Sequence, residues 1–194
     1  MSEELKVKWD KIYSEKTVGE HHASDVLTRN KHLLPMNGSS LDVAAGMGAN
    51  AIYLAERGFD ALAVDISQVA VDRINAYGKE KNISLSARVM NLEKDTLGAE
   101  LFDVITVAHY LERKIAPMLI NALKPNGLLF YQTFTKEKTE GATTPSNPDF
   151  LLKENELLQL FSPLQLVYYR EEGLLGDWSQ GIRNEALFVG RKFL

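Results

Sequence analysis

The 194-residue chain contains no cysteine, which excludes disulfides, thiolate zinc sites and thiol nucleophiles together. It has no basic surplus either: 22 Lys and Arg stand against 26 Asp and Glu, for a net charge of −4. Without a positive field, nucleic acid is not an expected partner. No apolar run approaches the roughly 20 residues of a membrane span. The opening residues, Met1 to Lys6, lack the apolar core of a secretory signal. A soluble, cytoplasmic protein that spans no membrane is therefore expected. Histidines number four, and the adjacent pair His21-His22 points two ways on most backbones, so no metal site is expected. What remains is 45% hydrophobic, enough to bury about two-thirds of the unfolded surface in one core. The expectation is one domain over 1–194. Its oligomeric state cannot be read from the residues.

The chain is organised around Leu41-Asp42-Val43-Ala44-Ala45-Gly46-Met47-Gly48-Ala49-Asn50-Ala51. Apolar and small residues lead into a Gly-x-Gly turn, and Ala51, Leu54, Ala55 and Gly58 then follow at helical spacing. Strand, tight turn and helix are predicted. The glycines let backbone approach a ligand, and the helix start offers unpaired N–H groups. Asp60 to Asp65 reads as a second buried strand ending on a carboxylate. Parallel strands end on one edge, so Asp65 is expected to face the turn across a crevice. A carboxylate there can accept both hydrogen bonds of a ribose diol. The residues predict a site for an adenosine-bearing cofactor. Asp65 lies 17 residues beyond Gly48, near the ~20 of a dinucleotide fingerprint, so a nicotinamide-dependent oxidoreductase fits the same set.

Taken in order, Leu5, Trp9, Ile12 and Tyr13 mark a short amphipathic helix. A second helical pattern runs through Val26, Leu27, Leu33 and Leu34 and stops at Pro35, and Asn37 to Ser40 forms a turn. After the second strand Ser67 is placed as a helix N-cap, with Ala70, Ile74 and Tyr77 facing the sheet. Leu85 to Asn91 reads as a third strand. Phe102 to His109 is nearly all apolar, as a central parallel strand covered on both faces should be. It delivers Ala108, His109 and Tyr110 to the ligand edge. A helix stripe through Ile115, Met118, Leu119, Ala122 and Leu123 ends at Lys124-Pro125-Asn126-Gly127, before a fifth strand closing near Phe134. The polar stretch 136–149 has no apolar period and reads as a lid or a disordered loop, with Phe134 and Asn147 near substrate. Another helix covers 154–161. Two last strands, 165–170 and 185–189, have no helix between them and must pair antiparallel. Their connecting loop puts Trp178 and Arg183 on the ligand edge, Arg183 with a planar fork suited to oxyanions or to pairing with Glu171 or Glu172.

Asp42, Gly46 and Gly48, with Ala44 in place of a first glycine, resemble motif I of class I S-adenosylmethionine-dependent methyltransferases, D-x-G-x-G-x-G. The Phe102-Asp103-x-Ile105 strand, the K-P-N-G turn and the terminal hairpin are similar to that family as well. The resemblance implies a Rossmann-like, doubly wound α/β fold with helices on both faces. Its seven-stranded sheet is mostly parallel, with one antiparallel terminal strand. The core would span 39–194, with 1–38 as an N-terminal helical cover in which Trp9 and Tyr13 line a flap. It implies S-adenosyl-L-methionine as cofactor, held by Asp42, Ala44, Gly46, Gly48, Asn50, Asp65, Ile66, Asn91, Leu92 and Ala108, with Asn91 on the adenine amino group. Ala44 narrows the space for the methionine end. Trp9-Asp10-x-x-Tyr13 and Gly48-x-Asn50-Ala51-x-x-Leu54-Ala55-x-x-Gly58 resemble the tellurite-resistance group. That resemblance implies a small-molecule methyl acceptor such as a chalcogen oxyanion or thiol.

The sulfonium methyl is already activated, so the protein need only align the reactants and exclude water. A soft nucleophile needs no base; for an oxygen or nitrogen nucleophile His109 is the candidate. Tyr13, Tyr110 and Trp178 are candidates to surround the methyl with ring faces, and Trp9, Phe134 and Arg183 complete the expected acceptor surface. A binding module of this fold without turnover is the third reading.

Overall fold

Leu41, Asp42 and Val43, all buried, end a strand covered on both faces, and the architecture spreads outward from it. A computed structural model describes residues 2–19 and 22–194; His21 lies outside them. Strand β1 (Gly38–Val43) pairs in parallel with β2 (Phe59–Asp65) on one side and β4 (Phe102–Ala108) on the other. Strand β3 spans Leu85–Val89, β5 Leu123–Phe134, β6 Gln165–Glu171 and β7 Glu185–Arg191. Among the described residues the sheet has these seven strands, in the order β3-β2-β1-β4-β5-β7-β6. Only β7 is reversed, pairing antiparallel with both β5 and β6. The fold is thus Rossmann-like and doubly wound. Its strand order reverses between β1 and β4, where such sheets open a ligand crevice.

Helices α3 (Ala49–Ala55), α4 (Gln68–Lys81), α5 (Ala116–Ala122) and α6 (Glu156–Leu160) cover the faces. One apolar cluster joins Ile105, Leu119, Tyr131 and Phe161, and another Leu27, Leu54, Phe59 and Phe130. Helix α4 starts where expected: the Ser67 hydroxyl accepts the Ala70 amide at 3.2 Å, satisfying an orphan donor of the first turn.

Several boundaries differ from expectation, and the helix expected over 154–161 shortens to Glu156–Leu160. The pattern 26–34 divides into α2 (Asp25–Arg29) and a 3-10 turn (Lys31–Leu33). There the Asn30 side chain donates to the Val26 carbonyl at 2.9 Å, competing with helix bonding. The first strand absorbs the expected turn at Gly38, which pairs with Phe59. The third stops at Val89, because the Asn91 carbonyl and side chain accept turn amides from Lys94, Asp95 and Glu93. The K-P-N-G segment is a bend inside β5, with Asn126 at φ +65° and a shifted register against β4.

Helix α1 (Ser2–Ser14) is fastened to α4 by polar contacts. Asp10 accepts the Ser67 hydroxyl at 2.6 Å and the Val69 amide at 3.3 Å. Arg73 donates to the Tyr13 and Ser14 carbonyls, each at 2.9 Å. Among the described residues no helix is long and apolar enough to cross a membrane, and no group of three or more His, Cys, Asp or Glu could hold a metal ion.

Candidate functional site

The turn after β1 is built on left-handed backbone: φ is +53° at Ala44, +55° at Gly46 and +78° at Gly48. A β-carbon on Gly46 would stand 3.1 Å from the Tyr13 hydroxyl, and one on Gly48 3.0 Å from Ile74. Glycine at both positions avoids the left-handed strain, and a β-carbon at either would press on its neighbour. Asp42, 2% exposed, ties this turn to the sheet. It accepts the Thr106 hydroxyl at 2.9 Å, the Asn50 amide group at 3.3 Å and the Ala51 amide at 3.2 Å. Burial pushes its carboxyl up to about 6 against the pull of those bonds.

Asp65 closes the other side. Its Oδ2 accepts the Gly46 amide at 2.8 Å and its Oδ1 the Ser67 amide at 2.9 Å. Burial still raises it above the usual carboxylate range, because it outweighs these backbone bonds. Tyr13, stacked on Trp9 at 5.3 Å between centroids, is pushed upward by its own burial and by Asp65.

A cavity of about 520 Å³ opens here, within the size range of small-molecule sites. Its walls include Trp9, Tyr13, Ala44, Gly46, Asn50, Asp65, Ile66, Asn91, Leu92, Ala108, His109 and Tyr110. The structure brings these sequence-predicted residues together. Others stand outside. Asp42 and Gly48 shape the turn from behind the wall. Phe134 stacks on His109 at 4.8 Å without lining the cavity, and Asn147 caps the turn Pro148–Phe150. Trp178 is half exposed and donates to the Leu174 carbonyl at 2.6 Å. The Arg183 guanidinium bonds the carbonyls of Gly173, Leu175, Asp177 and Gln180. Its Nε also lies 3.7 Å from the Glu172 carboxylate, so of the two expected roles the structure shows the pairing with Glu172, and the fork organises its own loop instead of standing in the cavity wall.

The chain matches the family described as a methyltransferase domain over residues 19–170. It belongs to that family. A ubiquinone biosynthesis O-methyltransferase of Rickettsia akari is 30% identical over 117 residues, 56% of this chain and 44% of that protein. The chain spans 44% to 63% of the length of the first curated relatives it matches. TehB from Haemophilus influenzae has a TM-score of 0.71 at 21% identity, covering 95% of this chain and 67% of that one. A SAM-dependent methyltransferase from Methanosarcina mazei scores 0.67 at 18% identity, covering 90% and 100%. These two likenesses speak for the fold. S-adenosylmethionine is the cofactor that goes with the family.

In this methyltransferase-family chain the cavity also has walls that sequence reasoning missed: Leu5, Lys16, His22, Ser24, Met47, Met90 and Glu93. Among the described residues the buried Ser24 hydroxyl has no hydrogen-bond partner, and a ligand in the cavity would satisfy it. Glu185, the first residue of β7, was missed as well. Its Oε1 lies 2.9 Å from His109 Nε2, and only the antiparallel pairing of β5 with β7 brings the two together.

Proposed function

We propose that this chain transfers the methyl group of S-adenosylmethionine to a small-molecule acceptor in the 520 Å³ cavity. The observation that carries the reading is Asp65, held at the lip of the Gly46 turn by backbone amides and lining the cavity. A carboxylate has about four acceptor sites, so it retains capacity for a ribose hydroxyl. The donor set fits the cofactor: a carboxylate for the sugar, glycine backbone for close approach, and Met90, Asn91 and Leu92 to frame a base. Ala44, Asn50, Ile66 and Ala108 border the path toward His109 and Tyr110, where the acceptor would stand under Trp9 and Tyr13. The cofactor supplies an electrophilic methyl group; the residues supply alignment and a water-poor pocket.

Acceptor chemistry has two sources of support. The motif resemblance to the tellurite-resistance group keeps chalcogen oxyanions and thiols in view, and the curated relatives, named as O-methyltransferases, favour a hydroxyl. Titration calorimetry with S-adenosylmethionine and, separately, NAD(H) tests the cofactor. Binding of the first alone is expected, and binding of NAD(H) alone would convert the reading to an oxidoreductase. Release of S-adenosylhomocysteine across hydroxyl, thiol and tellurite acceptors then identifies the substrate class. Release with none of them would leave a binding module.

A further inference from the structure

Outside the cofactor half of the cavity, one polar chain runs from backbone to a single imidazole. The Val26 amide donates to Gln132 Oε1 at 2.8 Å. Gln132 Nε2 donates to Glu185 Oε2, and Glu185 Oε1 meets His109 Nε2 at 2.9 Å. Val26 and Gln132 are buried, and the Glu185 side chain is 16% exposed. The far end of the chain is therefore anchored in the core. His109 itself sits at φ +55°, with Phe134 stacked on its ring at 4.8 Å, so ring plane and position are both constrained.

We infer that His109 is the general base for a hydroxyl acceptor, acting through Nδ1, and that Glu185 is its positioning residue. The inference rests on the methyltransferase reading and names its substrate class. A carboxylate only accepts, so Nε2 carries the hydrogen, and in the neutral ring that leaves the Nδ1 lone pair unprotonated. Among the described residues Nδ1 has no protein partner, and His109 lines the cavity. In the proton step the acceptor O–H bond breaks, its electron pair stays on oxygen, and the proton joins Nδ1. The resulting imidazolium faces the Glu185 carboxylate, which offsets the new charge. A thiol or chalcogen nucleophile, ionised without help, would have no use for this chain of contacts.

The test has a ligand-free arm. Nitrogen-15 NMR of the full chain, with the His109 signal assigned by its loss in His109→Gln, reports which ring nitrogen bears hydrogen in the neutral form. An Nε2–H tautomer is expected, and an Nδ1–H tautomer overturns the inference. In the second arm, catechol and thiophenol are offered as acceptors. Glu185→Gln keeps the shape and removes the charge, and is expected to lower kcat for catechol by about 10- to 100-fold. KM for S-adenosylmethionine and turnover of thiophenol should move less than about twofold. Unchanged catechol turnover in Glu185→Gln, or methylation of thiophenol with catechol inert, overturns the inference. A wild-type chain that fails to bind S-adenosylmethionine in calorimetry defeats the methyltransferase reading instead, and the tautomer measurement stands apart from it.

Discussion

Asp65 and Gly46 are joined by a 2.8 Å hydrogen bond from the glycine amide to the carboxylate. The ends of β1 and β2 are thereby locked at one spacing, and the lock lies in the wall of the cavity. The group proposed to grip the ribose thus also holds the turn in shape.

Replacing that carboxylate should be costly to binding. Asp65→Ala removes charge-assisted acceptors worth about 1.5–3 kcal/mol, which corresponds to a roughly 10- to 100-fold weaker affinity for S-adenosylmethionine. Titration calorimetry measures it directly. An unchanged Kd would remove Asp65 from the cofactor site.

Asp42 should leave a signature in the pH dependence of stability. Its carboxyl is raised from 3.8 to about 6, so the folded chain holds this proton more tightly than the unfolded chain does. The associated stabilisation is fully present below pH 3.8 and is lost as pH rises through about 6. At 1.36 kcal/mol per unit it amounts to about 3 kcal/mol. Asp42→Asn cannot ionise, so this contribution should vanish from urea unfolding curves recorded at the two ends of that window. An identical pH slope in the variant would refute the assignment.

Ala44 occupies left-handed backbone at φ +53°, which costs an L-residue about 1–2 kcal/mol. Glycine relieves that strain while giving back about 0.5–1 kcal/mol of backbone entropy. Ala44→Gly should therefore stabilise by about 0.5–1 kcal/mol and raise Tm by roughly 1–4 °C. A lower melting temperature in scanning calorimetry would contradict the strain argument.

Arg113 holds the far end of the 136–149 segment. Its guanidinium pairs with Glu156 at 2.7 and 3.0 Å and donates to the Asp149 and Leu151 carbonyls at 2.7 and 3.1 Å. The side chain is 34% exposed, so the clamp is placed at about 1 kcal/mol. Arg113→Ala should speed limited proteolysis within 136–149 about fivefold, through easier local opening. Unaltered cleavage would show that the segment is fastened elsewhere, for example where Thr139 donates its amide to Asn184 at 2.7 Å.

Much of this molecule was legible in linear order. Buried runs such as Phe102 to Ala108 could only be central strands. Gly46, Gly48 and Asp65 announced a crevice because parallel strands must end on one edge. The absence of a helix between β6 and β7 required an antiparallel pair. Trp178 and Arg183 were harder. Their loop does leave the ligand edge, but side-chain-to-carbonyl bonds fold it on itself, and spacing carries no trace of that. Ser24, Lys16 and Glu93 entered the cavity wall with no motif to mark them.

The order of apolar runs, turn glycines and strand-ending carboxylates by itself determined which segments are strands and which residues, Gly46 and Asp65 among them, meet at one sheet edge. Those features depend on local periodicity and on chain connectivity, both of which are written in one dimension. The partner of His109 was decided by tertiary structure alone. His109 and Glu185 stand 76 positions apart and meet only because a reversed strand runs beside β5. Partners at that separation are selected by packing, which no spacing rule encodes.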